Sequence, residues 1–184
     1  MILWCKIALE IRPSKKSFSA DNQQEKLETI GWIVGFVDGE GCFSVSIIRN
    51  STTKLKYQVF PEFVVTQGAK SLSSLKELQA YFKCGTIVEN KRKDNHKESL
   101  YKYCVRSLKD LNEIIIPFFQ KHKLHTAKKE DFNKFVKIIS MFESKKHLEI
   151  NGLQEIAKVI EQMNRKVPSR FLESSETIRQ TCQN

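Results

Sequence analysis

The segment from Gly31 to Phe43 constrains the fold most, because it joins a helical pattern to a strand pattern through glycines. From Lys26 onward, apolar residues recur at the spacing of one helix face, at Leu27, Ile30, Ile33, Val34 and Val37. Gly39 and Gly41 end this helix. Strict alternation follows, with Phe43, Val45 and Ile47 on one side and Ser44, Ser46 and Ile48 on the other. The segment predicts a helix that passes directly into a half-buried strand.

The next segments indicate a hairpin, a helix and a second hairpin. Turn residues at 50–53 precede a returning strand over 57–67, and Pro61 inside it predicts a bulge or an unpaired donor. Leucines at helical spacing predict a helix over 72–82, closed by Lys83-Cys84-Gly85. Strands over 86–89 and 99–106 then flank the polar run 90–98.

Helices complete the chain, over 108–119, over 127–142 with Thr126 as N-cap, and from Asn151 through Met163. Helices alternating with antiparallel hairpins predict an α+β domain whose sheet is covered by helices on one face and open on the other. With 184 residues, we predict an N-terminal extension (1–24), one domain (25–168) and a flexible C-terminal tail (169–184).

Charge and cysteine usage restrict the partners and the compartment. Lys and Arg number 31 against 21 Asp and Glu, a net charge of +10, which favours a polyanion such as nucleic acid over a role in solubility alone. No apolar run approaches the ~20 residues of a membrane span, so we expect no membrane partner. The five cysteines are scattered and form no CxxC pair, which favours reduced thiols inside a cell.

Two glycines and two carboxylates mark the end of the first helix. Gly31 and Gly35 lie four apart, and each costs about 1 kcal/mol relative to Ala inside a helix. Either a second helix packs closely against them or the pair is a chance feature of a crowded core helix. Asp38 and Glu40 oppose the helix dipole. They indicate either oxygen ligands for a hard cation such as Mg²⁺ or an acidic turn.

The run Ile33-Val-Gly-Phe-Val-Asp-Gly-Glu-Gly41 resembles the LAGLIDADG motif of the homing endonucleases. Later segments resemble that family too, namely 65–67, 115–119, 124–132 and 145–164. The resemblance covers about residues 27 to 166. It implies an αββαββα core with a saddle-shaped antiparallel sheet, followed by C-terminal helices. Since the chain carries one motif, the resemblance implies the homodimeric type.

The resemblance also implies residue roles. Glu40, Gln67 and Lys128 would be catalytic, with Lys129 a competitor for the lysine role. The metal ligands would be Glu40 and the Gly39 carbonyl. Mg²⁺ is the expected ion, with Mn²⁺ substituting and Ca²⁺ binding without supporting cleavage. Some relatives have a basic residue where this chain has Ser71. The dimer interface would comprise Gly31, Val34, Gly35 and Asp38.

The open sheet face would lie in the major groove of double-stranded DNA. Strand alternation places these side chains there: Ser44, Ser46, Ile48, Asn50, Gln58, Phe60, Glu62, Val88, Asn90, Lys102 and Cys104. Lys91 and Arg92 of the loop would contact phosphates.

The implied function is a metal-dependent double-strand break at a long pseudo-palindromic target, which promotes intron mobility. The alternatives are an intron RNA maturase with the same fold, whose partner would be intron RNA, and a DNA-binding regulator without catalysis. Kinship implies an organelle, either mitochondrion or chloroplast.

Overall fold

The computed structural model describes residues 17–90 and 99–163, with side chains from residue 22. Lys91, Arg92 and both chain ends lie outside these ranges. The elements are α1 (Ser17–Glu40), β1 (Gly41–Arg49), β2 (Tyr57–Gly68), a 3₁₀ turn (Ala69–Ser71), α2 (Leu72–Phe82), β3 (Thr86–Asn90), β4 (Leu100–Val105), α3 (Leu108–Asp110), a π-helical turn (Leu111–Ile115), α4 (Ile116–Lys121), α5 (Lys128–Glu143), a 3₁₀ turn (Lys146–Leu148) and α6 (Ile150–Ile160). Helix α1 begins at Ser17, so it includes the end of the segment predicted as an N-terminal extension. Within the described ranges, no helix has both the length and the apolar character that crossing a membrane requires.

Helix α1 passes directly into β1, as predicted, and Gly41 makes the junction possible. A Cβ atom at Gly41 would lie 2.6 Å from Val37 Cγ1 and 2.8 Å from the Val37 carbonyl oxygen. Because a side chain at this position would clash with the last turn of α1, only glycine lets the strand start there.

The four strands form one antiparallel sheet in the order β1-β2-β4-β3. The bulge predicted at Pro61 is wrong. Pro61 lies opposite Val45 in an unbroken register that runs from Gly41↔Val65 to Arg49↔Tyr57. Strand β4 pairs with β2 only from Phe63 onward. Pro61 therefore lies where β2 has no described neighbour except β1, a place where a missing N–H is tolerated.

The sheet has one covered face and one open face, which confirms the predicted α+β arrangement. Buried and partly exposed residues alternate along β1 and β2. Phe43 is the centre of the core: its ring centroid lies 5.1 Å from that of Phe63, 5.0 Å from that of Phe132 and 5.5 Å from that of Phe119. Phe119 belongs to α4 and Phe132 to α5, so aromatic contacts fix these helices to the covered face.

Candidate functional site

The C-terminal end of α1 presents Gly39 and Glu40 to solvent. Lys128, the first residue of α5, reaches this helix end: its Nζ donates to the carbonyl oxygens of Val37 at 3.0 Å and Gly39 at 3.2 Å. The last carbonyls of a helix lack partners within the helix, and a cation there complements the dipole. Lys129 is exposed instead. The structure therefore brings Lys128, rather than its neighbour, to Glu40.

Asp38 ties the end of α1 to the start of α5. Its Oδ2 accepts from the His125 backbone N–H at 2.7 Å, and its Oδ1 accepts from the Thr126 N–H at 3.2 Å and hydroxyl at 2.8 Å. Thr126 in turn accepts from the Lys128 N–H at 3.3 Å. Ala127 is the N-cap of α5, so Thr126, predicted as the N-cap, lies one residue before it. Partial burial works to raise the pKa of Asp38, but the hydrogen bonds outweigh it and hold that pKa below its usual value.

The Asp38 carboxylate is therefore engaged within its own chain, because the N–H groups of His125 and Thr126 and the Thr126 hydroxyl converge on it. Its place in a dimer interface stays a prediction.

The environment of Lys128 combines partial burial with nearby negative charge. Burial lowers the pKa of Lys128 and is the dominant effect. Cys42, Asp38, Glu40 and Asp131 act in the opposite direction without restoring the usual value. The influence of Glu40 shows that the ammonium group and the motif carboxylate share one electrostatic environment.

Gln67 lies at the same end of the sheet as Glu40. Gly41 is opposite Val65, so the residue before Gly41 and the residues after Val65 occupy neighbouring positions. Gln67 is half-buried and pairs with Tyr101 of β4. Of the predicted catalytic residues, Lys128 therefore lies beside Glu40, and Gln67 lies at the same end of the sheet.

The oxygen donors at this place fit a hard divalent cation. Glu40 offers a carboxylate and Gly39 a carbonyl, and a Cβ atom at Gly39 would meet nothing within 4 Å, so the approach is open. Within 17–90 and 99–163, no cluster of three or more Asp, Glu, His or Cys side chains could enclose a metal. Mg²⁺ is commonly held by one or two carboxylates together with waters and substrate phosphates, so a sparse donor set suits it.

Cross-strand pairing shows which side chains share the open face. Ser44 lies opposite Glu62, Ser46 opposite Phe60, and Ile48 opposite Gln58. On the second hairpin Val88 lies opposite Lys102, and Asn90 is two residues along the same face. Ser46, Ile48, Gln58 and Val88 are exposed, whereas the other five are partly exposed.

Two predicted base contacts need revision. Cys104 shares the open face, but only 2% of it is exposed and its Sγ lies 3.6 Å from Thr86 Oγ1, so neighbouring side chains cover it. Asn50 is occupied by its turn, since its Oδ1 accepts from the Thr52 N–H and hydroxyl. Its Nδ2 donates to Gln58 Oε1 at 2.8 Å. Asn50 therefore holds Gln58 rather than extending outward itself.

Arg106 was missed by the sequence analysis. It follows β4 directly, and its Nε donates to Glu62 Oε2 at 3.0 Å while its Cζ lies 5.2 Å from the centroid of the Phe60 ring. The alternation that nominated Lys102 and Cys104 continues to Arg106, so extending that pattern by two residues would have found it.

The exposed face of α1 carries a stripe of Leu27, Gly31 and Gly35. Leu27 is 60% exposed, and Cβ atoms at the two glycines would meet nothing within 4 Å in this chain. Val34, predicted as part of the interface, is only 7% exposed because it packs into the chain's own core. The stripe, without Val34, is the surface that a second helix could approach.

The LAGLIDADG endonuclease family model matches residues 33–139. The chain belongs to this family. "Probable intron-encoded endonuclease 3" of Neurospora crassa is 31% identical over 151 residues, which cover 82% of this chain and 27% of the relative. "DNA endonuclease I-CvuI" of Chlorella vulgaris is 34% identical over 92 residues, covering 48% and 53%.

Solved structures of LAGLIDADG endonucleases resemble this chain. The homing endonuclease I-TnaI superposes with a TM-score of 0.72 at 38% identity, covering 81% of this chain and 97% of that one. I-SmaMI, bound to an uncleaved DNA target in the presence of calcium ions, gives a TM-score of 0.69 at 34% identity, covering 78% and 47%. The chain spans about a quarter of the length of the first curated relatives.

Proposed function

We propose that this LAGLIDADG protein is a site-specific endonuclease that hydrolyses phosphodiesters of double-stranded DNA in a metal-dependent reaction. The placement of Lys128 beside Glu40, with Gln67 at the same end of the open sheet, carries this proposal. The names of the relatives, which include DNA endonucleases and intron-encoded endonucleases, support it. The double-strand break would fall in a long pseudo-palindromic target and promote intron mobility, in an organelle.

The chemistry follows from the groups at this end of the sheet. Glu40 and the Gly39 carbonyl would hold Mg²⁺ or Mn²⁺. They would also bind Ca²⁺, but without supporting cleavage. A bound ion of this kind would stabilise negative charge on the phosphate and lower the pKa of a bound water. The carbonyl of Gly39 has two lone pairs, so the Lys128 hydrogen bond leaves one available. Lys128 places a positive charge beside the scissile phosphate. The Gln67 amide orients the attacking water through hydrogen bonds.

Sequence selection belongs to the open sheet face. An antiparallel two-stranded ribbon fits the major groove, and Ser46 and Gln58 are the exposed polar groups that β1 and β2 contribute to the open face. A net charge of +10 favours association with the DNA backbone. Lys91 and Arg92, which lie outside the described residues, remain predicted phosphate contacts.

A homodimer would supply the second active site. The chain carries one motif and therefore one Glu40, whereas two strands must be cut. The exposed stripe of Leu27, Gly31 and Gly35 permits close packing with the same helix of a second copy. A twofold dimer presents identical surfaces to two half-sites, hence the pseudo-palindromic target.

The test is Glu40→Gln. A target is first obtained by selecting bound sequences from randomised duplex DNA and is then cloned into a plasmid. The variant should lose linearisation of this plasmid in Mg²⁺, because the metal loses its only carboxylate from that subunit, yet bind DNA within a few-fold of wild type. Glu25→Gln, an exposed acid on the same helix with the same change in charge, should cut normally. A Glu40→Gln protein that linearises the plasmid at the wild-type rate would refute the assignment.

A further inference from the structure

We propose that Arg106 contacts a guanine in each half-site, and that Glu62 is its positioning residue rather than a base contact. This inference rests on the proposed function, because it assigns one base preference to the same DNA-facing surface.

The guanidinium of Arg106 is held from two sides. Its Nε donates to Glu62 Oε2 at 3.0 Å, and its Cζ lies over the Phe60 ring, 5.2 Å from the centroid. Phe60 and Glu62 alternate along β2 on the open face, and Arg106 extends the same face beyond β4. The Arg106 side chain is 44% exposed and that of Glu62 is 23% exposed. The arginine is thus the outer member of the pair.

The two contacts leave the outer edge of the guanidinium available. Arginine has five N–H donors, and these contacts use Nε–H and the ring-facing plane. Among the described residues, none accepts a hydrogen bond from its Nη groups. A guanidinium fixed in this way presents a fork of two donors, which matches the O6 and N7 acceptors of guanine in the major groove.

The same geometry assigns Glu62 to positioning Arg106. Its Oε2 accepts from the Arg106 Nε–H, and Glu62 is the less exposed partner, so the arginine is the group nearer to a bound base. A role limited to stability is also a poor account of this pair, because exposed ion pairs contribute little to folding. Fixing a donor fork in one orientation is what a specific contact requires.

The experiment is binding-site selection from a randomised duplex DNA library without divalent metal, followed by affinity measurements on the selected duplex and on its single-base variants. Wild type should select guanine at one position of each half-site. Arg106→Lys keeps the charge but loses the fork, so discrimination at that position should fall by about 5- to 150-fold while other positions are unchanged. Glu62→Ala should reduce discrimination at the same position. Arg49→Ala, an exposed arginine at the end of β1, should leave the preference intact.

The outcomes separate this inference from the proposed function. If wild type selects a site but Arg106→Lys keeps every base preference, the inference is overturned and the proposed function stands. It is also overturned if Arg106→Ala weakens binding to all DNA sequences equally and lowers the slope of log binding constant against log salt concentration by about one. Such behaviour is that of a phosphate contact. If wild type enriches no sequence, both proposals fail. Circular dichroism checks that each variant is folded. If Arg106→Ala unfolds, the base preference of Arg106→Lys alone tests the inference.

Discussion

At the scale of single residues, Asp38 and Lys128 link two helices in opposite directions. Asp38, from the end of α1, accepts from the N–H groups of His125 and Thr126, which directly precede α5. Lys128, from the start of α5, donates to the carbonyls that close α1. Each helix end therefore receives the charge that its own dipole favours. These contacts also fix the Lys128 ammonium beside Glu40. The same contacts therefore stabilise the two helix ends and position a candidate catalytic side chain.

Asp38→Ala should destabilise the fold at neutral pH by about 1–2 kcal/mol, as for a lost helix cap. The folded-state pKa of Asp38 lies below its usual value, so its stabilisation is present above the ordinary Asp pKa of ~3.9 and is lost as pH falls through the folded-state pKa. Urea denaturation at pH 7 and in acid measures the free energy of unfolding of each protein. The difference in this free energy between wild type and Asp38→Ala should be smaller in acid, and an equal difference at both pH values would contradict the assignment. Glu25→Ala provides the control.

At the scale of secondary-structure elements, the stripe on α1 combines exposure with helix-weakening residues. Within the described residues, a Cβ atom at Gly31 or Gly35 would meet nothing within 4 Å, so no close packing inside these ranges explains the cost of the two glycines. Their exposed neighbour Leu27 adds apolar area. A face with these properties is explained when a second helix approaches it closely.

The double variant Gly31→Leu with Gly35→Leu should fold as well as wild type, because neither new side chain meets an atom of its own chain at Cβ. It should nevertheless fail to dimerise, since the larger side chains separate the two helices. Analytical ultracentrifugation measures the assembly state, and thermal unfolding checks the fold. Glu25→Leu, an exposed position about 120° around α1 from Gly31, should remain dimeric. A double variant that dimerises like wild type would place the interface elsewhere.

The elements themselves were predictable from the sequence, whereas several contacts between them were not. Alternation assigned the two sheet faces because side chains point to opposite faces with a period of two. It could not show that Thr86 covers Cys104, because that depends on the packing of β3 against β4. The Asp38–His125 contact joins residues 87 apart in sequence, and Arg106–Glu62 joins residues 44 apart. Spacing along the chain carries no information on such pairs.

At the scale of the whole molecule, the proposed cleavage of both DNA strands would require two copies of this chain. Each copy has one motif with one Glu40, and the described residues form one open sheet face. The net charge of +10 would be doubled in the proposed dimer, so binding to DNA should be strongly salt-dependent. Cutting both strands would then depend on the pairing of two intact chains.

Mixing experiments measure this dependence directly. When wild type and Glu40→Gln are combined in equal amounts and allowed to exchange, random pairing leaves about one quarter of the dimers with two intact sites. With plasmid in excess, the rate of one-step linearisation should therefore fall to about a quarter of that of the same total amount of wild type, while mixed dimers with one intact site should produce nicked circles. The control is a single protein that carries Glu40→Gln, Gly31→Leu and Gly35→Leu together. This triple variant should not pair with wild type, so adding it should leave linearisation by the wild-type protein unchanged. A fall to only one half in the first mixture would mean that a single chain cuts both strands, and the homodimer proposal would then be wrong.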